Sequence, residues 1–181
     1  MLMDPEAVIN FWFEEIDPKQ WWKKDQALDE LICSRFRKVH EQASRCELYP
    51  WRQTPRGRLA EIIILDQFSR NIYRDQPGAF AHDALALALA QVAVEQGADM
   101  NLNTDEKSFL YMPYMHSESL AIHEIAMMIY NQAGLEYNYD FEKKHKAIIE
   151  RFGRYPHRNA ILGRESTPEE CEFLKQPDSG F

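Results

Sequence analysis

The segment TPRGRLAEIIILDQFSRNIYR, residues 54–74, predicts a long helix at the centre of an all-helical fold. Thr54 and Pro55 are typical of a helix start, because a threonine side chain accepts a backbone hydrogen bond there and proline has no N–H to leave unpaired. The run IIIL, residues 62–65, then places apolar side chains at about 100° steps around the helix axis. Protein must therefore cover most of this helix, and the polar residues that follow it need buried partners.

The rest of the chain carries helix boundary signals of the same kind. Asp25 can cap a helix whose apolar stripe includes Leu31 and Phe36. Gly97 and Gly153 are placed to end helices, because glycine readily adopts the left-handed conformation that follows a helix C-terminus. No segment shows the apolar and polar alternation that is typical of a strand. The first predicted helix begins at Asp4, the second covers about residues 25–45, the third begins at Thr54 and the fourth covers residues 83–96. The fifth runs from Thr104 to Pro113, the sixth covers residues 117–133, the seventh runs from about Asp140 to Gly153, and the eighth begins at Thr167.

These signals predict an all-α fold, a single domain of residues 1–181 with about eight helices packed as antiparallel pairs. A second central helix is expected around the apolar run IAMMI, residues 125–129, for the same reason as at residues 62–65. The N-terminal aromatic residues are assigned to the core by default. These residues are Phe11, Trp12, Phe13, Trp21 and Trp22.

Charge and composition narrow the classes of function. The formal net charge of −8 argues against a nucleic-acid binder, since such proteins usually present a basic face. Three widely spaced cysteines indicate neither a disulfide framework nor a zinc knuckle. The start MLMDPE lacks the features of a signal peptide, and the apolar segment 84–94 is too short to span a bilayer. We expect a cytoplasmic protein with no cofactor, no nucleic-acid partner and no membrane partner, and the sequence identifies no protein partner.

The first polar block follows the central helix. Asp66, Arg70 and Arg74 recur every four residues, so they share one helix face. One interpretation is a ladder of surface salt bridges, which is common on helices. The other is that Arg70 and Asn71, at the end of a buried helix, project into a shared pocket.

The second polar block is residues 111–119, and its His116 is one of two histidines that are candidates for acid/base chemistry. His116 lies close to Glu118, and a histidine beside a carboxylate can transfer protons near neutral pH. His145 falls on the apolar stripe of its helix with Phe141 and Ile148, so it needs a buried partner or a cavity. A structural hydrogen bond to a carboxylate is the alternative role for either histidine. A metal site is not predicted, because His116 and His123 would lie about 10 Å apart along a helix, too far to share one ion.

The third polar block is the connector FGRYPHRNAILGRESTPEE, residues 152–170, which gathers cationic donors between two helix boundaries. Such a cluster either binds an anion or locks helices together through buried polar contacts. Residues 143–164 contain seven basic residues against one acidic residue in an otherwise acidic chain, which suits a small anion better than a polymer. The donors of the connector are Arg154, His157, Arg158, Asn159 and Arg164.

The three blocks resemble the signature segments of the bacterial domain-of-unknown-function family numbered 924. The resembling segments are LDQFSRN at 65–71, MPYMHSE at 112–118 and FGRYPHRNAILGR at 152–164, with similar aromatic residues at 11–13 and 21–22. The resemblance implies an all-helical fold of the tetratricopeptide-like class and carries no established reaction or ligand. The chain itself shows no repeat with a period of about 34 residues, so a peptide-binding repeat groove is not predicted.

Two hypotheses of function follow. In the first, the three blocks form one pocket for a small anionic ligand, with hydrolase-type acid/base chemistry as an option. In the second, the protein is a helical interaction module and the same polar residues form a structural network. The first hypothesis gives acid/base roles to His116, Glu118 and His145, and ligand-binding roles to Arg70, Asn71, Arg154, His157, Arg158 and Asn159. The sequence does not decide whether the protein is an enzyme.

Overall fold

Eight helices run through residues 3–177 and 179–180, which are the residues that the computed structural model describes. No strand occurs among these residues, so the predicted all-α fold is confirmed. Residues 1, 2, 178 and 181 of the predicted domain lie outside the described part. The helices are α1 (Pro5–Asn10, continued by a π turn at Phe11–Glu15), α2 (Gln26–Ser44), α3 (Pro55–Ile63, a π turn at Ile64–Phe68, then Ser69–Ile72), α4 (Asp83–Glu95), α5 (Thr104–Met115), α6 (Leu120–Tyr130), α7 (Glu136–Phe152) and α8 (Pro168–Phe173).

The capping residues act as the sequence predicts. The Asp4 side chain accepts from the backbone N–H of Glu6, and the Thr54 hydroxyl accepts from Gly57. At α8, the Thr167 hydroxyl and the side chain of Glu170 form the two reciprocal bonds of a capping box. Gly153 ends α7 in the left-handed region, with φ of 68°. Local capping chemistry therefore sets most of the helix ends.

Three helices differ from their predicted bounds. The helix α5 continues through Pro113 to Met115, because a proline removes only one backbone hydrogen bond and the surrounding core covers this segment. The helix α6 is shorter than residues 117–133, and α7 begins at Glu136, one turn before the predicted Asp140. The tetratricopeptide-like arrangement and the antiparallel pairing stay predictions.

The two helices expected at the centre differ in burial. All four residues of the run 62–65 have 0% exposure, as predicted for α3. The prediction for α6 is wrong, because Ile125 is 37% exposed and Met128 is 69% exposed. Only one face of α6 packs on the protein, so consecutive apolar residues do not by themselves make a helix central. Leu31 of α2 is likewise exposed, at 44%.

The N-terminal aromatic residues divide between the core and the surface. Phe11 and Trp12 are buried and contact Phe68 of α3 at centroid distances of 6.0 and 5.6 Å. Trp22, in contrast, is 53% exposed and stacks on Phe109 of α5. The default assignment of this group to the core therefore holds for Trp12 and fails for Trp22.

The helical stretch Pro77–Glu95, which contains α4, is unusually apolar. An 18-residue window of this 19-residue stretch has a mean hydropathy of 1.3, so by length and composition alone the stretch is long enough to cross a membrane. The core helix of a soluble protein meets the same criterion. Here Ala86, Ala90 and Ala93 are buried, and Asp83 at the start of α4 pairs with Arg70.

Candidate functional site

A cavity of about 720 Å³ lies where the end of α3, the end of α5, the α7 helix and the connector after α7 meet. Its size falls in the range that is typical of small-molecule sites. Six of the residues predicted for the site line it; five come from the three polar blocks, and His145 comes from α7. These six are Arg70, Asn71, His116, His145, His157 and Arg158.

Asp66 is buried next to the cavity and contacts two of its wall residues, His116 and Arg70. It has 0% exposure and sits in the π turn of α3, a geometry that is frequent at functional sites. His116 Nδ1 donates to Asp66 Oδ1 over 2.7 Å, and Arg70 Nη1 lies 3.3 Å from the same oxygen. Burial alone raises the pKa of Asp66, but His116 and Arg70 outweigh burial and hold the pKa below its usual value. The carboxylate is therefore ionised and accepts both contacts.

Asp83 connects two of the three arginines that line the cavity, Arg70 and Arg158. Arg70 donates to both Asp83 oxygens, over 2.8 and 2.9 Å, and Arg158 Nη1 reaches Asp83 Oδ2 over 3.3 Å. One carboxylate thus serves two guanidinium groups. Asp83 is the first residue of α4, so this largely apolar helix contributes a carboxylate to the arginines of the cavity wall.

Arg158 is buried without a full set of hydrogen-bond acceptors. It is 6% exposed, its Nη2 donates to the His116 carbonyl over 3.0 Å, and its guanidinium lies 4.5 Å from the Phe80 ring and 4.7 Å from the Tyr155 ring. Its buried Nε has no hydrogen-bond partner among the residues that the structure describes. Burial lowers the pKa of Arg158, and the positive charge of Arg70 lowers it further.

Burial favours the neutral form of the three histidines on the wall, because it lowers the pKa of each. Burial, with Arg70 beside it, lowers the pKa of His116. Burial lowers the pKa of His157 to about 4 and that of His145 to about 3. His145 Nδ1 donates to the Phe141 carbonyl over 2.8 Å, which leaves the lone pair on Nε2. Neutral imidazoles are able to accept protons or donate hydrogen bonds at this site.

Lysines at the mouth of the cavity give it a positive balance. Lys23 and Lys144 line the cavity and have no acidic partner in the described part of the chain, whereas Lys24 pairs with Asp75 over 3.3 Å. The wall carries six cationic side chains, four of which contact a total of four carboxylates, which leaves a balance of about +2 when the histidines are neutral. The six cations are Lys23, Lys24, Arg70, Arg74, Lys144 and Arg158, and the four carboxylates are Asp29, Asp66, Asp75 and Asp83.

The remainder of the wall is apolar and largely aromatic. Trp21 Nε1 donates to the Trp12 carbonyl over 3.0 Å, so its ring has no unpaired polar group. Trp22 lies nearly parallel to Phe109, with an interplanar angle of 11° and centroids 5.8 Å apart. These rings reach the cavity from the connector between α1 and α2. The other apolar lining residues include Trp12, Phe80, Met112, Met115, Tyr137, Phe141 and Ile161.

A second polar cluster, the C-terminal network, lies outside the cavity wall. Arg164 donates to both oxygens of Glu118 over 2.7 and 2.8 Å, and the Tyr155 backbone N–H also donates to Glu118. Arg154 Nε and Nη2 donate to Glu170, each over 2.7 Å. Asn159 joins the two pairs, because its Nδ2 donates to Glu170 and its Oδ1 accepts from Arg164. We define the C-terminal network as Glu118, Arg154, Asn159, Arg164 and Glu170.

The network accounts for three of the predicted site residues. Glu118, Arg154 and Asn159 do not line the cavity; they fasten the connector and α8 to the start of α6. The carboxylate beside His116 is Asp66, which lies 50 residues away in sequence, and not Glu118. Sequence reasoning noted the spacing of Asp66 but missed this contact, because it joins two helices.

The comparisons with known proteins agree with the fold. The family model described as "Bacterial protein of unknown function (DUF924)" matches residues 8–178. The chain belongs to the DUF924 family. A solved structure from Agrobacterium tumefaciens, described as a protein of unknown function ATU0120, is similar over 94% of this chain and 96% of that chain, with 36% sequence identity and a TM-score of 0.86. A comparison with curated proteins finds no match.

In this DUF924 chain the three signature segments contribute to two different structures. LDQFSRN supplies Arg70 to the cavity, MPYMHSE supplies His116 to the cavity and Glu118 to the C-terminal network, and FGRYPHRNAILGR supplies Arg158 to the cavity and Arg164 to the network. Among residues 3–177 and 179–180, no group of three or more His, Cys, Asp or Glu side chains is arranged to hold a metal ion. The described wall of the cavity presents arginines, histidines and aromatic rings.

Proposed function

We propose that the cavity binds a small anionic molecule, with Arg158 and Arg70 facing the anionic group. The observation that carries the proposal is the incomplete pairing of Arg158. Its charge is buried, it shares its one carboxylate with Arg70, and its Nε has no acceptor among the described residues. A buried cation without enough acceptors is unfavourable, and an anionic ligand would supply the missing acceptor.

The electrostatics support the same proposal. The whole chain carries a formal charge of −8, yet the cavity wall and its contacting carboxylates have a balance of about +2. Lys23 and Lys144 add exposed charge at the mouth, where it attracts an anion from solution. His157 adds a neutral donor or acceptor beside Arg158.

Acid/base chemistry of the hydrolase type is a second candidate function, and the Asp66–His116 contact favours it. Because His116 Nδ1 donates to the buried carboxylate, Nε2 carries the lone pair and is able to accept a proton. No serine, threonine or cysteine lines the cavity in the part of the chain that the structure describes. The nucleophile would be water: its oxygen bonds to the acyl carbon of an ester or amide and His116 takes one of its protons, then the bond between the acyl carbon and the leaving group breaks and the leaving group receives that proton. His145 would assist from α7, and Glu118, paired with Arg164, would hold the connector in place.

The rival hypothesis of a structural network fits the C-terminal network and not the cavity. In that network Glu118 and Glu170 each accept two hydrogen bonds from one arginine, so the positive charges of Arg164 and Arg154 are already paired and do not attract an anionic ligand. We therefore propose that the connector after α7 contributes to the structural network through Arg154, Asn159 and Arg164, and to the ligand site through His157 and Arg158.

The test is the effect of phosphate and acetate on the melting temperature of the wild type and of Arg158→Met. We expect both anions to stabilise the wild type and to have little effect on the variant. Folding should survive the substitution, because Asp83 keeps its bidentate pair with Arg70 and no carboxylate is stranded; the cost should stay below the roughly 3–5 kcal/mol of a broken buried pair.

Arg151→Met is the matched control. Arg151 lies on the same part of the chain but forms an exposed pair with Glu169 outside the cavity. This variant should respond to both anions like the wild type. Equal responses of wild type and Arg158→Met, or a wild type that responds to neither anion, would contradict the proposal.

A further inference from the structure

We infer that the ligand of the cavity is an amphiphilic monoanion, an organic acid with one carboxylate and a flat apolar body. The inference rests on the proposed anion-binding function and specifies the chemical class of the ligand. It follows from three properties of the cavity: the charge at its polar end, the aromatic surface of its wall, and its volume.

The charge at the polar end fits one negative group and not several. Arg70 and Arg158 are there, but Asp66 and Asp83 contact the same guanidinium groups and offset most of their charge. A polyphosphate would add two or more negative charges close to these two carboxylates, which is unfavourable in a partly buried site. A single carboxylate can accept from the guanidinium group of Arg158, which lines the cavity, without a large excess of negative charge.

The aromatic wall fits a flat apolar body. The indole of Trp22 is 53% exposed at the cavity, although it is already stacked on Phe109, so one ring face remains available. The Trp21 indole N–H is satisfied by the Trp12 carbonyl, so this ring also offers carbon surface. Covering these rings with an apolar group removes hydrophobic surface from water.

The volume is too large for a small ion alone. A cavity of about 720 Å³ lies in the range that accommodates a drug-sized molecule, whereas phosphate or acetate would contact only the polar end. The same molecule must therefore reach from Arg158 to the tryptophans in order to use the whole wall.

The experiment compares probes that contain the two halves separately and together. Acetate provides the carboxylate, 3-phenylpropanol provides the apolar body, and 3-phenylpropionate provides both. Calorimetry, together with quenching of tryptophan fluorescence, measures the Kd values. We expect 3-phenylpropionate to bind at least about tenfold more tightly than either of the other probes, since a linked pair gains from both contacts.

Two variants assign the halves of the probe to the two ends of the cavity. Arg158→Met should weaken 3-phenylpropionate about tenfold and leave 3-phenylpropanol unchanged. Trp22→Leu should weaken both aromatic probes and leave acetate unchanged. Tyr49→Leu is the control, because Tyr49 is a large exposed aromatic residue, 67% exposed, that does not line the cavity.

Three outcomes would overturn the inference or its basis. If 3-phenylpropionate binds no more tightly than acetate, while the binding of acetate still requires Arg158, the inferred ligand class is wrong and the proposed binding of a small anion is retained. Tighter binding of pyrophosphate than of 3-phenylpropionate would contradict the inference that the ligand carries one negative charge. If every anionic probe binds equally well to the wild type and to Arg158→Met, the proposed function itself is wrong.

Discussion

The arginines of the connector after α7 occur in two settings that differ in their supply of acceptors. Arg164, in the C-terminal network, donates to Asn159, to both oxygens of Glu118 and to the Tyr155 carbonyl. Arg158, in the cavity, shares Asp83 with Arg70 and keeps an unpaired Nε. Only six positions separate the two arginines in sequence. Residue type therefore does not distinguish architecture from binding; the number of acceptors per donor does.

The largest effect should come from removing an acceptor that several donors share. Glu118→Ala leaves the half-buried Arg164 without its carboxylate and the Tyr155 N–H without its acceptor, so we expect a loss of about 2–4 kcal/mol in the free energy of unfolding. Urea denaturation at pH 7 measures this loss. Glu169→Ala, which removes the partner of an exposed arginine, is the control and should cost less than about 1 kcal/mol. Equal losses would show that the network does not act as a structural lock.

The next effect concerns the stability of the network in acid. The hydrogen bonds from Arg154, and those from Thr167 and Asn159, lower the pKa of Glu170 from 4.5 to about 2. Because the folded pKa is the lower one, this group stabilises the fold above pH 4.5 and loses that contribution as the pH falls towards 2. Glu170→Gln should therefore be less stable at pH 7 and show a flatter stability profile below pH 4.5. An unchanged acid profile would contradict the assignment.

A smaller pH effect is expected from the cavity. Burial, then Arg158 and Arg70, lowers the pKa of His157 from 6.5 to about 4. The unfolded chain takes up the proton first as the pH falls below 6.5, so the native state loses about 1–2 kcal/mol between pH 6.5 and 5 from this residue. His157→Gln removes that loss, and the difference between the two stability profiles measures it. A carboxylate ligand should reduce the same loss in the wild type, because it favours the protonated imidazole.

The smallest effect should come from the mouth of the cavity. Lys144→Met removes a charge that lines the cavity, and Lys143→Met removes its neighbour, which pairs with Asp140 away from it. We expect Lys144→Met to weaken 3-phenylpropionate roughly two- to threefold at low salt and Lys143→Met to have no effect. Calorimetry at 20 mM and 500 mM salt checks both the difference and its screening. Equal effects of the two variants would mean that only net charge matters.

The fold could be predicted well because its boundaries depend on local chemistry. Asp4, Thr54 and Thr167 cap helices through residues two or three positions away, so each cap is visible in a short segment. Burial was harder to predict. The apolar residues of α6 include the exposed Met128, because the number of helices that pack on a given face depends on the whole arrangement of the chain.

The cavity could be predicted only in part. The residue types and blocks identified Arg70, His116 and Arg158, which do line one cavity. Their partners were not visible, since Asp83 lies 75 residues from Arg158 and Asp66 lies 50 residues from His116. Lys23 and Trp22 were missed as wall residues because nothing in the local sequence separates a lysine or tryptophan at a cavity mouth from one elsewhere on the surface.

The π turn at Ile64–Phe68 makes the length of one helix important for the cavity. Such a turn holds one more residue than a regular α-helix needs over the same rise. A regular α-helix covers the same rise with one residue fewer, so deletion of a single residue here would leave the apolar run before the turn and Ser69–Ile72 after it in place. The side chains inside the turn would change position, so Asp66 would lose its contacts with His116 and Arg70 inside an intact fold. Among chains of this fold, a one-residue gap at this position would therefore mark those that have kept the scaffold and lost the site.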